Sequence, residues 1–178
     1  MSDPAARSDG GGPGRVLAFE AGGRALALPA EAVERVLEPP PVQRVPGTPA
    51  WFLGLSVTAG RLLPLTDLGA WLDAGNADGS ADGADLATAL ARPARPGARL
   101  VEIDRATGLA ALLVDRVEGL VDAREANADD TLEDDPLERL GPRRPRARAV
   151  VAGGAVRALL DPAALLASPA FVDLSVPS

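Results

Sequence analysis

The chain has 178 residues, a formal net charge of −7 and 47% hydrophobic residues, enough material for one domain with a buried core. Aromatic residues make up only 3%, so the core must be built mainly from Val, Leu and Ala. The chain has no Cys and no His, which excludes disulfides, thiolate nucleophiles and Ser-His-Asp catalysis. The acidic balance argues against a nucleic-acid partner, because such binding needs a basic surface.

The N-terminal residues 1–14 are rich in Gly, Ser, Asp and Pro, which predicts a flexible tail. This tail lacks the apolar centre of a signal peptide. No stretch of about 18 uncharged apolar residues follows, so we expect no membrane insertion and a cytoplasmic location.

Eight short apolar or alternating runs predict β-strands. Turn residues such as Gly22-Gly23 and Ala59-Gly60 separate the members of each pair, which indicates hairpins. The predicted strands are residues 15–20, 24–28, 54–58, 61–66, 99–104, 108–114, 148–152 and 155–160. The sequence therefore predicts a mostly β protein.

Two short segments, "AEAVERVLE" (30–38) and "VDRVEGLVD" (114–122), have apolar residues three apart between charged ones. We interpret each as an acidic-apolar turn of helix. Two alternatives stay open: the apolar residues belong to the core alone, or they form a surface ridge that contacts a partner.

Aspartates 67 and 161 each follow a predicted strand and precede a short helix. At such a position an Asp side chain accepts hydrogen bonds from free backbone N–H groups, so both are predicted N-caps rather than a catalytic pair.

Polar segments are predicted as loops at 73–98 and 122–148, and as a C-terminal tail at 167–178. The stretch "DGSADGAD" (78–85) resembles a calcium loop, but position 89, where a bidentate carboxylate would be needed, is Ala89. No phosphate-binding loop occurs either. We therefore predict no catalytic, metal or cofactor site, and no enzyme.

The chain also contains an internal repeat. An offset of 84 aligns Arg15 with Arg99 and Val33 with Val117, and an offset of 94 aligns Asp67 with Asp161. From this repeat alone, each unit would close into its own barrel, because closure removes open sheet edges. A groove between two such barrels would be a natural docking surface.

Taken together, these segments resemble the CheW-like domain from about Arg15 to Leu166. The stretches that carry the resemblance are "GGRALALPAEAVERVLEP", "VPGTPAWFLGL", "GRLLPLTDL", "GLAALLVDRVEGLV" and "AVRALLDPAALL". The best local matches are Thr48, Pro49, Ala50, Gly54, Gly60, Pro64, Asp67, Leu68, Val114, Asp115, Val117, Leu160 and Asp161.

The resemblance implies two intertwined, pseudo-symmetric, SH3-like five-stranded β-barrels with short helices, and no enzymatic activity. It implies an adaptor that couples methyl-accepting chemoreceptors to a CheA-type histidine kinase. The stretch "GRLLPLTDL" is similar to adaptors of type IV pilus twitching motility. The implied partners are the kinase regulatory domain and the chemoreceptor tip.

Carried over position by position, the resemblance implies a receptor groove and a kinase-facing glycine, Gly54. The implied groove residues are Val33, Arg35, Val36, Ala59, Val117 and Leu120. Two of them depart from the family, which usually has a glutamate at Arg35 and an arginine at Ala59. These changes alter electrostatic complementarity, which mainly sets specificity. The alternative is therefore a diverged scaffold that binds another partner in a signalling array or pilus regulatory complex.

Overall fold

A computed structural model of the chain describes residues 14–74, 95–130 and 145–172. The strands in these ranges are β1 (Arg15–Ala21), β2 (Arg24–Pro29), β3 (Val33–Leu37), β4 (Phe52–Thr58), β5 (Arg61–Asp67), β6 (Arg99–Ile103), β7 (Ala111–Val114), β8 (Arg116–Glu125), β9 (Ala147–Ala152) and β10 (Ala155–Leu160). The helices are α1 (Leu68–Ala74), α2 (Pro162–Ala167) and α3 (Pro169–Val172). The four predicted hairpins are all present as antiparallel pairs.

The strands form two five-stranded sheets. The first, in the order β1-β2-β10-β9-β8, is a closed barrel and is termed barrel 1. The second has the order β3-β6-β7-β5-β4, and residues 38–43 lie between its two edge strands; it is termed barrel 2. Each barrel contains strands from both repeats, which confirms the intertwined fold. The expectation from the repeat alone, that each unit closes on itself, is wrong because the parallel pairs β2–β10 and β5–β7 join different repeats.

The strand register confirms the pseudo-symmetry. Leu65 lies opposite Ala111 in the β5–β7 pair, and their repeat equivalents, Leu159 and Ala27, lie opposite each other in the β10–β2 pair. The β3–β6 and β1–β8 pairs match in the same way. The offsets read from the sequence therefore correspond to one pseudo-twofold relation between the barrels.

Three apolar clusters stabilise this arrangement. Barrel 2 is filled around Leu63, Leu65 and Leu100, and barrel 1 around Val16 and Val150. The largest cluster lies between the barrels and the helices, and its members include Phe19, Leu28, Trp71, Ile103, Leu112 and Phe171. Burial of these side chains contributes about 1.5–3 kcal/mol each.

The two predicted N-caps are confirmed. The backbone N–H of Ala70 donates to Asp67 Oδ1 at 2.8 Å, and that of Ala164 donates to Asp161 Oδ1 at 3.0 Å. Each carboxylate satisfies an N–H group that has no partner inside its helix.

The predicted helical turns at 30–38 and 114–122 are wrong. One turn of 3-10 helix covers Ala30–Ala32, and the rest of the two segments is strand, as β3 and β8. Both strands carry a β-bulge in their pairing with β6 and β1. A bulge inserts one extra residue, so apolar side chains three apart turn to the same side and imitate a helical period.

Three predicted boundaries also change. Strand β8 continues to Glu125 and β9 begins at Ala147, inside the segment predicted as a loop at 122–148. Phe171 of α3 is buried in the central cluster, so the predicted tail at 167–178 is wrong at its start. The predictions for residues 1–13 and for the stretch 78–85 lie outside the described residues.

Candidate partner-binding surface

Strands β3 and β8 hold five of the six predicted groove residues, and four of them form two equivalent pairs. Val33 and Val117 are half-buried and pack against the central cluster. Val36 and Leu120 are exposed, at 37% and 51%. Val33 and Val117 thus fit the first interpretation of these segments, in which the apolar residues belong to the core. Val36 and Leu120 reach solvent and fit the second, in which they form a surface ridge.

The position of the exposed pair follows from its cross-strand neighbours. Val36 lies opposite Val101 on β6, and Leu120 lies opposite Leu17 on β1. Residues directly opposite in an antiparallel pair share a face, and both neighbours are buried in the central cluster. Val36 and Leu120 therefore border the junction between the barrels, where a groove was predicted.

Arg35 faces a different environment from the other groove residues. Its Nε donates to Glu102 Oε2 at 2.6 Å, and Arg61 Nη2 donates to Glu102 Oε1 at 3.2 Å. Glu102 is only 2% exposed. The pKa of the Arg35 guanidinium is raised, mainly because Glu102 accepts its hydrogen bond. Arg35 thus belongs to an ion-paired triad that joins β3, β6 and β5.

Ala59 occupies the tip of the β4–β5 hairpin. It is exposed and has φ +50°, followed by Gly60 at φ +75°. This left-handed conformation suits a two-residue hairpin turn, but a side chain there costs roughly 1 kcal/mol.

Gly54 is buried beneath the chain segment that precedes β4. It has φ +125°, and a Cβ there would overlap the Gln43 carbonyl oxygen. Leu55 and Gln43 exchange two backbone hydrogen bonds, at 2.7 and 2.9 Å. Gly54 is required for this close approach, and its contact with a kinase stays a prediction.

A second ionic network, between the barrels, was not foreseen from the sequence. Asp115, at the crossover from β7 to β8, accepts from the Gly22 N–H at 2.7 Å and pairs with Arg95. Arg95 also reaches Asp67 Oδ2 at 3.4 Å. This network joins the β1–β2 turn, the crossover and the N-cap of α1.

Two features of the described residues bear on catalysis. No group of three or more His, Cys, Asp or Glu side chains in these ranges could hold a metal ion. An open cleft of about 520 Å³ beside α2 is lined by no ionisable residue. In the same part of the chain, no helix is long and apolar enough to cross a membrane.

Two intertwined small barrels with apolar residues at their junction define a scaffold-type domain. Residues 15–170 match the CheW-like domain family, and the chain belongs to that family. Its members are scaffolding proteins, which agrees with the prediction that the chain is not an enzyme.

Two comparisons give further similarity. The chain is 31% identical over 104 residues to Protein PilI of Pseudomonas aeruginosa, a match that covers 58% of the chain and 50% of that relative. The match thus spans only half of the relative's length. The crystal structure of the scaffolding protein TtCheW from Thermoanaerobacter tengcongensis covers 84% of both chains with a TM-score of 0.56 and 15% identity. At that identity the likeness supports the fold alone.

Proposed function

We propose that this protein is a non-enzymatic adaptor that couples chemoreceptors to a CheA-type histidine kinase in the cytoplasm. The observation that carries the proposal is the junction between the barrels, where equivalent strands of a CheW-like domain each expose one apolar residue, Val36 and Leu120. Exposed apolar side chains beside a packed core are typical of protein-binding surfaces.

In this proposal the chemoreceptor tip binds along β3 and β8, against Val36 and Leu120. Val33 and Val117, packed behind them, fix the two strands on the central cluster. The kinase regulatory domain binds a separate surface, since an adaptor must hold both partners at once. The pathway is chemotaxis or twitching motility, and the stretch "GRLLPLTDL", which is similar to adaptors of type IV pilus twitching motility, favours the second.

A second candidate is a diverged scaffold that binds another partner in the groove. It is favoured by the Arg35–Glu102–Arg61 triad, which puts two guanidinium groups around one buried carboxylate. The charge pattern at this end of barrel 2 therefore differs from the pattern that the family resemblance implies. Electrostatic complementarity sets partner choice more than affinity, so such a change would redirect binding.

Isothermal titration calorimetry with the CheA-type regulatory domain and with the receptor cytoplasmic fragment of the same organism tests both candidates. The adaptor proposal expects the folded protein to bind each partner. Binding to the kinase domain without binding to the receptor fragment would favour the second candidate. No association with the kinase domain would contradict the adaptor proposal.

A further inference from the structure

Arg95 lies between two carboxylates that belong to different parts of the fold. Its Nη1 donates to Asp115 Oδ1, and its Nη2 lies 3.4 Å from Asp67 Oδ2. The Asp67 side chain is buried and the Asp115 side chain is half-buried. Because the guanidinium is planar and carries five N–H donors, one arginine can hold both carboxylates in fixed positions.

A tight turn holds Arg95 in place just before β6. The Ala98 N–H donates to the Arg95 carbonyl at 3.1 Å, and Gly97 inside this turn has φ +89°. A left-handed backbone conformation of this kind favours glycine. The arginine is therefore carried by the start of a strand of barrel 2 rather than by a free loop.

Asp115 carries the contact from Arg95 to barrel 1. While Oδ1 accepts from Arg95, Oδ2 accepts from the Gly22 N–H in the β1–β2 turn at 2.7 Å. The backbone N–H of Asp115 also donates to the Glu20 carbonyl at 2.8 Å. Arg95 thus orients a carboxylate that hydrogen-bonds across the junction between the barrels.

The elements joined in this way support the two walls of the proposed receptor groove, β3 and β8. Strand β3, which carries Val36, is paired with β6, and Val36 lies opposite Val101 near the start of β6. Strand β8, which carries Leu120, begins directly after Asp115. A shift of the β7–β8 crossover relative to β6 would therefore change the separation between Val36 and Leu120.

The repeat-equivalent crossover, from β2 to β3, is held differently. Glu31 is the equivalent of Asp115, and its side chain is exposed and makes no hydrogen bond or ion pair within the described ranges. Here a backbone contact serves instead, from the Asp104 N–H to the Ala32 carbonyl at 2.8 Å. The ionic contact to Arg95 is thus particular to the wall formed by β8.

We propose that Arg95 is a positioning residue of the receptor groove, which acts through Asp115 to hold the start of β8 at a fixed distance from β3. This role rests on the proposed function, since receptor binding is one of its readouts. A residue that only stabilised the fold would affect both partners equally, through the unfolded fraction. A residue that positions the groove walls affects the receptor alone.

Label distances test whether Arg95 fixes the walls. The chain has no cysteine, so Glu38→Cys and Asp122→Cys place one nitroxide beside each wall, at exposed and repeat-equivalent positions. In pulsed electron–electron double resonance the parent should give one narrow distance distribution, and Arg95→Met a broader or shifted one. The matched control Arg148→Met, which removes an exposed ion pair elsewhere in barrel 1, should leave the distribution unchanged.

Calorimetry with the receptor cytoplasmic fragment and with the kinase regulatory domain tests the consequence for binding. Arg95→Met should weaken receptor binding about tenfold. It should change kinase binding by less than about twofold. Arg95→Lys keeps the charge but lacks the planar fork that spans both carboxylates, so it should fall between the parent and Arg95→Met. Arg148→Met should bind both partners as the parent does.

The outcomes separate this inference from the proposed function. An unchanged label distance in Arg95→Met, unchanged receptor binding, or equal losses for receptor and kinase would each overturn the inference and leave the adaptor function standing. If Arg95→Met does not fold, the same comparisons are decided by Arg95→Lys. If the parent does not bind the receptor fragment, the proposed function fails, and the label distances alone decide whether Arg95 positions the two walls.

Discussion

Barrels 1 and 2 are built from the same repeat, but only barrel 1 is sealed by a continuous ladder. In barrel 1 the end of β8 pairs with β9, where Ala123, Arg124 and Glu125 lie opposite Ala152, Val151 and Val150. The equivalent residues in barrel 2 are Pro39, Pro40 and Pro41. Proline has no backbone N–H to donate, so these residues cannot form a ladder with β4.

Barrel 2 is closed by other means at this edge. The hydroxyl of Ser56 donates to the Pro41 carbonyl at 2.8 Å, and Gln43 forms a single bridge to Leu55. Barrel 1 also holds the Arg24–Asp73 ion pair at 2.9 Å, and the repeat-equivalent residues in barrel 2 are Gly108 and Ala167. The difference teaches that duplication gave one barrel closed by a strand ladder and one closed by isolated hydrogen bonds from a proline-rich segment.

The largest effect is expected at Gly54 in barrel 2. Gly54→Ala would place a Cβ against the backbone of Gln43 and Arg44 in addition to a strained φ of +125°, and should cost about 4 kcal/mol. Gly119→Ala in barrel 1 has a similar φ of +134° with no atom within 4 Å of the Cβ, and should cost about 1–2 kcal/mol. Urea denaturation measures the free energy of unfolding of both variants. Equal losses of stability would contradict the steric role of Gly54.

The next effect concerns the buried triad. Glu102→Gln should destabilise the protein by about 3 kcal/mol, because two guanidinium groups would then face each other without a carboxylate. Glu125→Gln in barrel 1 is the control, since Glu125 pairs with Arg148 and both side chains are more than half exposed. Its loss should cost no more than about 1 kcal/mol. A larger loss at Glu125 than at Glu102, in thermal or urea unfolding, would reverse this ranking.

The hairpin tips give a matched pair with a smaller effect. Ala59 in barrel 2 and its repeat equivalent Gly153 in barrel 1 both have positive φ, at +50° and +62°. Ala59→Gly should stabilise the protein by up to about 1 kcal/mol, and Gly153→Ala should destabilise it by a similar amount. The melting temperature of each variant measures its change in stability. A stabilising Gly153→Ala would show that backbone strain does not decide these turns.

The smallest change in stability is expected from an exchange of the closing segments. The variant E38D/P39A/P40R/P41E gives barrel 2 the sequence found in barrel 1. The stability gained from new ladder hydrogen bonds and the stability lost with the rigid prolines should nearly cancel. The free energy of unfolding should therefore change by less than about 1 kcal/mol. Amide hydrogen exchange at Val57 should slow at least tenfold, because its N–H points to the same edge as that of Leu55. Unchanged exchange would mean that the prolines do not keep this edge unpaired.

The sequence predicted the hairpins, the N-caps and the repeat because each is encoded within a few adjacent residues. It did not predict β3 and β8 as strands, since the bulge places Val33 and Val36 on one side at a helix-like spacing. It also did not predict the partner of Arg35. Glu102 comes from the other repeat, and only the exchange of strands between barrels brings the two together.

For the predicted groove residues the structure gives packing and exposure. Val36 and Leu120 are exposed at the barrel junction, and Val33 and Val117 are half-buried against the central cluster. The contact of these residues with a receptor stays a prediction.

The central claim, that the protein couples a receptor to a kinase, is tested most directly by kinase autophosphorylation. The CheA-type kinase of the same organism is assayed with its receptor cytoplasmic fragment, with and without this protein. The account predicts that the receptor fragment changes the autophosphorylation rate only when the protein is present, and that Leu120→Glu abolishes the change. A receptor effect of the same size without the protein would contradict the claim.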